Sequence, residues 1–156
     1  MAAVYVWDTS ALIGAWVRAY PPDVFPALWD QIDALGAAGR LMVPEEVLEE
    51  LAERDDALHG WVKTRQSTLV VPTSRAVMLE ARDVLADHAE LTKTGTGRGK
   101  ADPFVIATAR MNGCAVVTEE RGGSQQKPRI PYVCQQRGVP VHSVLEVIRA
   151  EGWTFA

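Results

Sequence analysis

The chain has 156 residues, of which 47% are apolar and 23% charged, so it can bury a core and has the balance of a folded domain rather than a disordered chain. Its net charge of −4 argues against a general nucleic-acid coat protein. No apolar run approaches the roughly 18 residues that cross a bilayer, and the two cysteines lack CxxC spacing, so we expect one domain over residues 1–156 of a reduced, cytoplasmic protein that does not enter membranes.

The first predicted strand, VYVW at residues 4–7, consists of β-branched and aromatic residues and stops at Asp8. Apolar residues at helical spacing then predict a helix over residues 9–18 and a second helix that begins at Pro26, after the turn YPPDVFP. An Asp between a strand and a helix is most simply a helix N-cap. The significance of Asp8 therefore depends on whether other carboxylates occupy equivalent places.

The rest of the chain continues this alternation of short apolar strands and longer helices. Further strands are predicted at RLMVP, TLVVP, CAVVT and VPVHS. Helices are predicted at EEVLEELAER, at residues 56–66, 74–91 and 100–112, and at VLEVIRAEG, whereas TKTGTGRG and GGSQQKPR are predicted loops. The alternation predicts an α/β domain, with a parallel sheet of four or five short strands and helices on both faces.

Acidic residues flank several of these elements, and in such a sheet ligands bind beyond the carboxyl ends of the strands. The acids expected near that edge are Asp8 after the first strand, Glu45, Glu46, Glu49 and Glu50 after LMV, Asp102 at a helix start, and Glu119 and Glu120 after CAVVT. Acids from four segments repel one another unless a cation lies between them, and oxygen ligands without His or Cys suit Mg²⁺ or Mn²⁺. Carboxylates that hold such ions are typical of enzymes that hydrolyse phosphodiesters.

Four segments, in this order and at this spacing, resemble the PIN-domain ribonucleases, a group that includes the VapC toxins of prokaryotic toxin–antitoxin pairs. They are VYVWDTSALI, VPEEVLEELAE, ADPFVIATA and CAVVTEE. The resemblance runs from about residue 3 to residue 121. The segments YPPDVFPALWD and RIPYVCQQRGV are similar to those of a PIN subtype, which extends the match to nearly the whole chain.

The resemblance implies a three-layer PIN-like fold and a set of catalytic, metal-binding acids. Carried over residue by residue, the family's acids fall on Asp8, Glu50, Asp102 and Glu120, which would hold one or two Mg²⁺ or Mn²⁺ ions. Glu120 departs from the commoner Asp and is one methylene longer. Glu46, one helical turn from Glu50, is the alternative ligand on its helix. The residues that resemble supporting hydroxyls are Thr9, Ser10 and Thr118.

The function implied by the resemblance is metal-dependent endonucleolytic cleavage of RNA by a toxin that an antitoxin protein neutralises, in a homodimer. A housekeeping RNA-processing nuclease and a non-catalytic RNA- or protein-binding module of the same fold are the alternatives. A phosphotransferase with Asp8 as acceptor is disfavoured, because Ser10 stands where a second Asp is usual.

Basic residues are concentrated between Lys93 and Arg137, a segment that contains eight basic residues and three acidic ones. This segment carries +5 and the remainder of the chain −9. Such a segment is either an ordinary solvated surface or a local surface for RNA phosphates. The candidates for phosphate contacts are Lys100, Arg121, Lys127 and Arg129.

Overall fold

Five short apolar strands form one parallel sheet with the order β3-β2-β1-β4-β5. The computed structural model of the protein describes residues 2–93 and 99–155. The strands are β1 (Tyr5–Trp7), β2 (Leu41–Pro44), β3 (Val70–Val71), β4 (Ala115–Val117) and β5 (Val141–His142). Every neighbouring pair is parallel. The predicted α/β architecture with four or five parallel strands is confirmed.

The central strand β1 marks the point at which the order of the strands reverses. β2 and β3 extend the sheet on one side of β1, and β4 and β5 extend it on the other. Tyr5 pairs with both Leu41 and Ala115, and Trp7 pairs with Val117, so the carboxyl ends of β1 and β4 lie side by side. Open parallel sheets have a crevice beyond the strand ends at such a reversal. The residues that directly follow β1 and β4 therefore share one crevice.

Helices connect the strands and cover the sheet. The α-helices are α1 (Thr9–Ile13), α2 (Pro26–Ala37), α3 (Glu45–Ala52), α4 (Ala57–Thr64), α5 (Gln66–Leu69), α6 (Arg75–Asp87), α7 (Asp102–Asn112), α8 (Ile130–Arg137) and α9 (Val144–Glu151). A π-helix, Gly14–Ala19, continues α1, and a 3₁₀ turn, Ala89–Thr92, follows α6. Among the residues that the structure describes, no helix has the length and apolar character needed to span a membrane.

Each helix predicted from the sequence is present, but α5 and α8 were not predicted. The predicted helix over residues 74–91 ends at Asp87 and gives way to the 3₁₀ turn. The predicted loop TKTGTGRG falls largely on residues 94–98, which lie outside the described residues.

Helix α7 is buried along most of its length and contacts β1, β2 and β4. Val105, Ile106 and Ala109 are inaccessible to solvent. Burial of these apolar side chains stabilises the position of the helix on the sheet. Its first turn, which contains Asp102, is thereby held at the edge of the sheet.

A buried carboxylate joins α6, α7 and α8 through ion pairs, in a group that we call the Glu80 cluster (Glu80, Asp87, Arg110 and Arg137). Glu80 is 6% exposed, and its Oε1 lies 2.6 Å from Nη1 of Arg110. Arg137 reaches Oε2 of Glu80 at 3.2 Å and Oδ2 of Asp87 at 2.6 Å. The charge of the buried carboxylate is therefore offset by two guanidinium groups.

Candidate metal centre

Asp8 follows β1 and is the N-cap of α1. Its Oδ1 accepts a hydrogen bond of 2.7 Å from the Ala11 N–H, and its backbone N–H donates to the carbonyl of Val117 at 3.0 Å. The cap predicted from local sequence is therefore present. The side chain is nonetheless 2% exposed, and burial raises its pKa to about 7. Glu120 raises this pKa further, against the lowering effect of hydrogen bonds from Thr118, Ala11 and Ser10.

Two hydroxyl groups hold the Asp8 carboxylate and join the ends of β1 and β4. Ser10 Oγ lies 2.9 Å from both carboxylate oxygens, and Thr118 Oγ1 donates to Oδ2. The two hydroxyl oxygens are 3.1 Å apart, and Ser10 Oγ also accepts from the Glu119 N–H. The structure therefore places Ser10 and Thr118 directly against Asp8, where each can orient its carboxylate.

Glu50 reaches this region from α3. It is 9% exposed, and its Oε1 accepts a hydrogen bond of 2.7 Å from Thr9 Oγ1. Its neighbours on the helix point elsewhere, since Glu46 accepts from the Thr73 hydroxyl and Glu45 from the Thr73 N–H. The carboxylate joined to α1 is thus Glu50, whereas Glu46 anchors the segment after β3.

Asp102 lies in the first turn of α7 and is 5% exposed. Its pKa is raised well above the ordinary value, first by burial and then by the charges of Glu120, Asp8 and Glu50. Among the described residues, no side chain or backbone donor bonds its carboxylate. The charges that act on Asp102 are those of the other three acids carried over from the family resemblance, and we call the four acids the acidic centre (Asp8, Glu50, Asp102 and Glu120).

Glu120 follows β4 and is shared between the acidic centre and helix α8. Its N–H donates to Thr118 Oγ1 at 3.1 Å, and its Oε2 accepts from the Ile130 N–H at 3.2 Å. The adjacent Glu119 bonds the Val144 N–H in the first turn of α9 at 3.0 Å. Glu120, not Glu119, is the acid whose charge acts on Asp8 and Asp102.

Helix α8 forms a wall of the acidic centre that was not predicted from the sequence. Cys134 is inaccessible to solvent, and burial raises the pKa of its thiol to about 12, with the charges of Asp8, Asp102 and Glu120 adding to the effect. The thiol is therefore protonated and a poor metal ligand. Pro131 in the first turn and Gly138 after the last turn are helix signals that could have revealed α8.

The donor set of the acidic centre fits a hard divalent cation. It consists of carboxylate oxygens without histidine or thiolate, as Mg²⁺ and Mn²⁺ prefer. In the described part of the chain, no group of three or more acidic, histidine or cysteine side chains is already arranged to hold a metal ion. The oxygens of Asp8, Glu50 and Glu120 instead accept from neighbouring hydroxyls or N–H groups. A bound cation would offset the repulsion from the neighbouring acids that adds to the effect of burial on the pKa of Asp102.

The basic residues of this segment that the structure describes divide into two groups. Arg110 and Arg137 belong to the Glu80 cluster, and Lys93 pairs with Glu90. In contrast, the four candidate phosphate contacts are exposed and make no ion pair with any described residue. They are Lys100, Arg121, Lys127 and Arg129.

Solved structures show which fold surrounds this centre. The crystal structure of VapBC2 from Rickettsia felis bound to a DNA fragment from their promoter matches 90% of this chain and 98% of the compared chain, with a TM-score of 0.53 and 12% identity. The crystal structure of DNA-bound VapBC from Salmonella typhimurium matches 91% of this chain and 98% of the compared chain, with a TM-score of 0.52 and 14% identity. At these identities the similarity establishes the fold alone, and it confirms the predicted PIN-like fold.

A family profile identifies the chain further. The chain belongs to the family described as "Domain of unknown function (DUF4411)", whose profile matches residues 5–155. A comparison with curated proteins finds no match.

Proposed function

We propose that the protein is a Mg²⁺- or Mn²⁺-dependent endoribonuclease whose metal ligands are the four acids of the acidic centre. The observation that carries the proposal is the pKa of Asp102, which is raised first by burial and then by the charges of Glu120, Asp8 and Glu50, acids that come from three other elements of the fold. Buried carboxylates with raised pKa values, in the crevice of a parallel sheet, are typical of functional sites.

The side chains around the proposed metal have separate tasks. A bound divalent ion lowers the pKa of water and stabilises the charge that builds up on a phosphate. Ser10 and Thr118 orient the Asp8 carboxylate, and Thr9 orients Glu50. Asp102 has no competing donor among the described residues, so its carboxylate is available to the metal. Exposed Lys100, Arg121, Lys127 and Arg129 bind phosphates of the RNA strand in this proposal.

Cleavage of a mixed RNA pool with and without Mn²⁺ tests the proposal. Asp8→Asn keeps the size of the side chain but removes a charged ligand, so the cleavage rate should fall by at least about 100-fold. Asp30→Asn, which changes an exposed acid on α2, is the matched control and should cleave as the wild type does. Metal-dependent cleavage that survives in Asp8→Asn would exclude this assignment of the site.

We further propose that the protein is a cytoplasmic single-domain toxin over residues 1–156, paired with an antitoxin protein and assembled as a homodimer. Its fold is shared with chains of two VapBC structures, which supports the antitoxin partner. Expression of the wild-type protein should arrest growth, and Asp8→Asn should not. Normal growth with active wild-type protein would favour the alternative of a housekeeping RNA-processing nuclease.

A further inference from the structure

The π-helix after α1 carries an arginine that the family resemblance does not assign to the site. Ser10, Gly14 and Arg18 follow one another at intervals of four residues, so in a helix they lie on nearly the same face. Ser10, at the start of this face, holds Asp8 and accepts from the Glu119 N–H. The face therefore borders the segment that leaves β4.

Gly14 allows Arg18 and Glu119 to approach each other across this face. A Cβ atom placed on Gly14 would lie 3.3 Å from Nη2 of Arg18 and 3.3 Å from Cγ of Glu119. The guanidinium group of Arg18 and the side chain of Glu119 are therefore no more than twice this distance apart. Since helical side chains point back toward the N-terminus, Arg18 directs its charge along α1 toward the Asp8 end.

Arg18 is free to bind a ligand in this position. It is exposed, and none of the described residues accepts a hydrogen bond or forms an ion pair with its side chain. Its neighbour Glu119 already bonds the Val144 N–H. The π-helix extends from Gly14 to Ala19 and ends with a bond of 2.8 Å from the Tyr20 N–H to the Ala15 carbonyl, and such segments are frequent at functional sites.

We infer that Arg18 is a phosphate-binding residue, whose guanidinium group holds a backbone phosphate of the RNA strand beside the acidic centre. The inference rests on the proposed nuclease function. A guanidinium group binds phosphate through two parallel hydrogen bonds, which an ammonium group cannot reproduce. Arg18 approaches from the π-helix after α1, whereas Lys100 precedes α7 and Arg129 precedes α8. Contacts on both flanks would fix the direction of the strand across the crevice.

Binding of a short fluorescent single-stranded RNA of mixed sequence tests the inference. The measurement uses the Asp8→Asn protein, without divalent ions, over a range of salt concentrations. Adding Arg18→Gln should weaken binding about fivefold to tenfold at low salt and flatten the slope of log K against log [salt] by about 0.7. Adding Arg18→Lys should keep the slope while weakening binding about twofold, because the charge remains but the paired hydrogen bonds are lost.

Arg149→Gln is the matched control, because Arg149 is also an exposed arginine. It lies two residues before Glu151, and Glu151 pairs with Arg40 next to the amino end of β2. This substitution should leave affinity and slope unchanged. Unchanged binding in Arg18→Gln, or an equal loss in Arg149→Gln, would overturn the inference. If Arg18→Gln does not fold, Arg18→Lys decides, and affinity equal to that of the Asp8→Asn protein overturns the inference. If neither the Asp8→Asn protein nor the wild type binds RNA, both the proposed function and this inference are wrong. If the wild type cleaves RNA in the presence of metal but Arg18→Gln does not change binding, only this inference is wrong.

Discussion

The Glu80 cluster and the acidic centre both contain buried carboxylates, but they differ in the charges that act on Glu80 and on Asp102. Glu80 is 6% exposed and lies between Arg110 and Arg137. Asp102 is 5% exposed, and its pKa is raised first by burial and then by the charges of three other acids. Similar burial thus accompanies opposite electrostatic surroundings. Removal of one member of a buried ion pair destabilises a protein, whereas a buried acid whose pKa is raised by other acids is typical of a functional site.

Helix α7 belongs to both regions. Asp102 lies in its first turn and Arg110 in its last turn, so both charges have the sign that the helix dipole favours. Glu80 raises the pKa of Arg110, chiefly through their hydrogen bond. One helix is therefore anchored by an ion pair at its carboxyl end, and at its amino end it carries an acid that forms no ion pair with any residue that the structure describes.

The largest expected effect on stability comes from removing the carboxylate of the Glu80 cluster. Glu80→Gln removes one of the two acids that pair with Arg137 among the described residues, and it should lower the free energy of unfolding by about 3 kcal/mol, as expected when one member of a buried ion pair is removed. Chemical denaturation measures the loss. Mn²⁺ affinity at a temperature where the variant is folded should stay within twofold of the wild type. Loss of metal binding together with stability would mean that the two regions are not separate.

In the acidic centre, loss of negative charge should raise stability instead of lowering it. The pH dependence of the stability of the metal-free protein tests this expectation. Because the folded pKa of Asp8 is about 7 and its ordinary value is 3.8, the folded state holds the proton more tightly than the unfolded state. Stability should therefore fall by about 2–3 kcal/mol as the pH rises from 5 to 8. Chemical denaturation of the wild type and of Asp8→Asn at pH 5 and at pH 8 measures this change in the free energy of unfolding. Asp8→Asn should remove this part of the pH dependence and leave the part that comes from the raised pKa of Asp102, whereas an equally steep fall in this variant would assign the whole dependence to other groups.

A smaller effect distinguishes two carboxylates on α3. Glu50→Gln should lower Mn²⁺ affinity about tenfold, the scale of losing one ligand interaction, with little change in melting temperature. Glu46→Gln should cost a few tenths of a kcal/mol, because this acid lies in the first turn of α3 and bonds Thr73. Calorimetric titration of both variants makes the comparison. If Glu46→Gln loses Mn²⁺ binding and Glu50→Gln keeps it, the metal ligands would instead be Asp8, Glu46, Asp102 and Glu120.

The smallest expected effect concerns the basic residues that the Glu80 cluster does not use. Each Ala substitution at Lys100, Arg121, Lys127 or Arg129 should flatten the slope of log K against log [salt] for RNA by about 0.7. Lys63→Ala, at an exposed position of α4, is the control and should change neither the affinity nor the slope. If the slope is unchanged in all four variants, these residues do not contact RNA phosphates and belong to the ordinary solvated surface.

The sequence predicted those parts of the molecule that local patterns encode. β1 and the cap at Asp8 could be predicted because strand residues, an Asp and an apolar helix follow one another directly. The Glu80 cluster could not be predicted, since its arginines lie 30 and 57 residues away along the chain from Glu80. Helix α8 was missed because its eight residues bury only Ile130, Val133 and Cys134, too few to make a clear period. The bond from Ile130 to Glu120 was hidden for the same reason.

Calorimetric titration of Mn²⁺ into the metal-free protein tests the contrast between the two regions most directly. It compares the wild type with Asp102→Asn and with Glu80→Gln. The first removes an acid that accepts no hydrogen bond from any described residue, and the second removes the acid that pairs with Arg110 and Arg137. We expect the wild type and Glu80→Gln to bind Mn²⁺ with affinities within twofold of each other, and Asp102→Asn to bind at least about tenfold more weakly, since it loses a charged oxygen ligand. Equal Mn²⁺ binding by all three proteins, or none by the wild type, would contradict the assignment of the metal to the acidic centre.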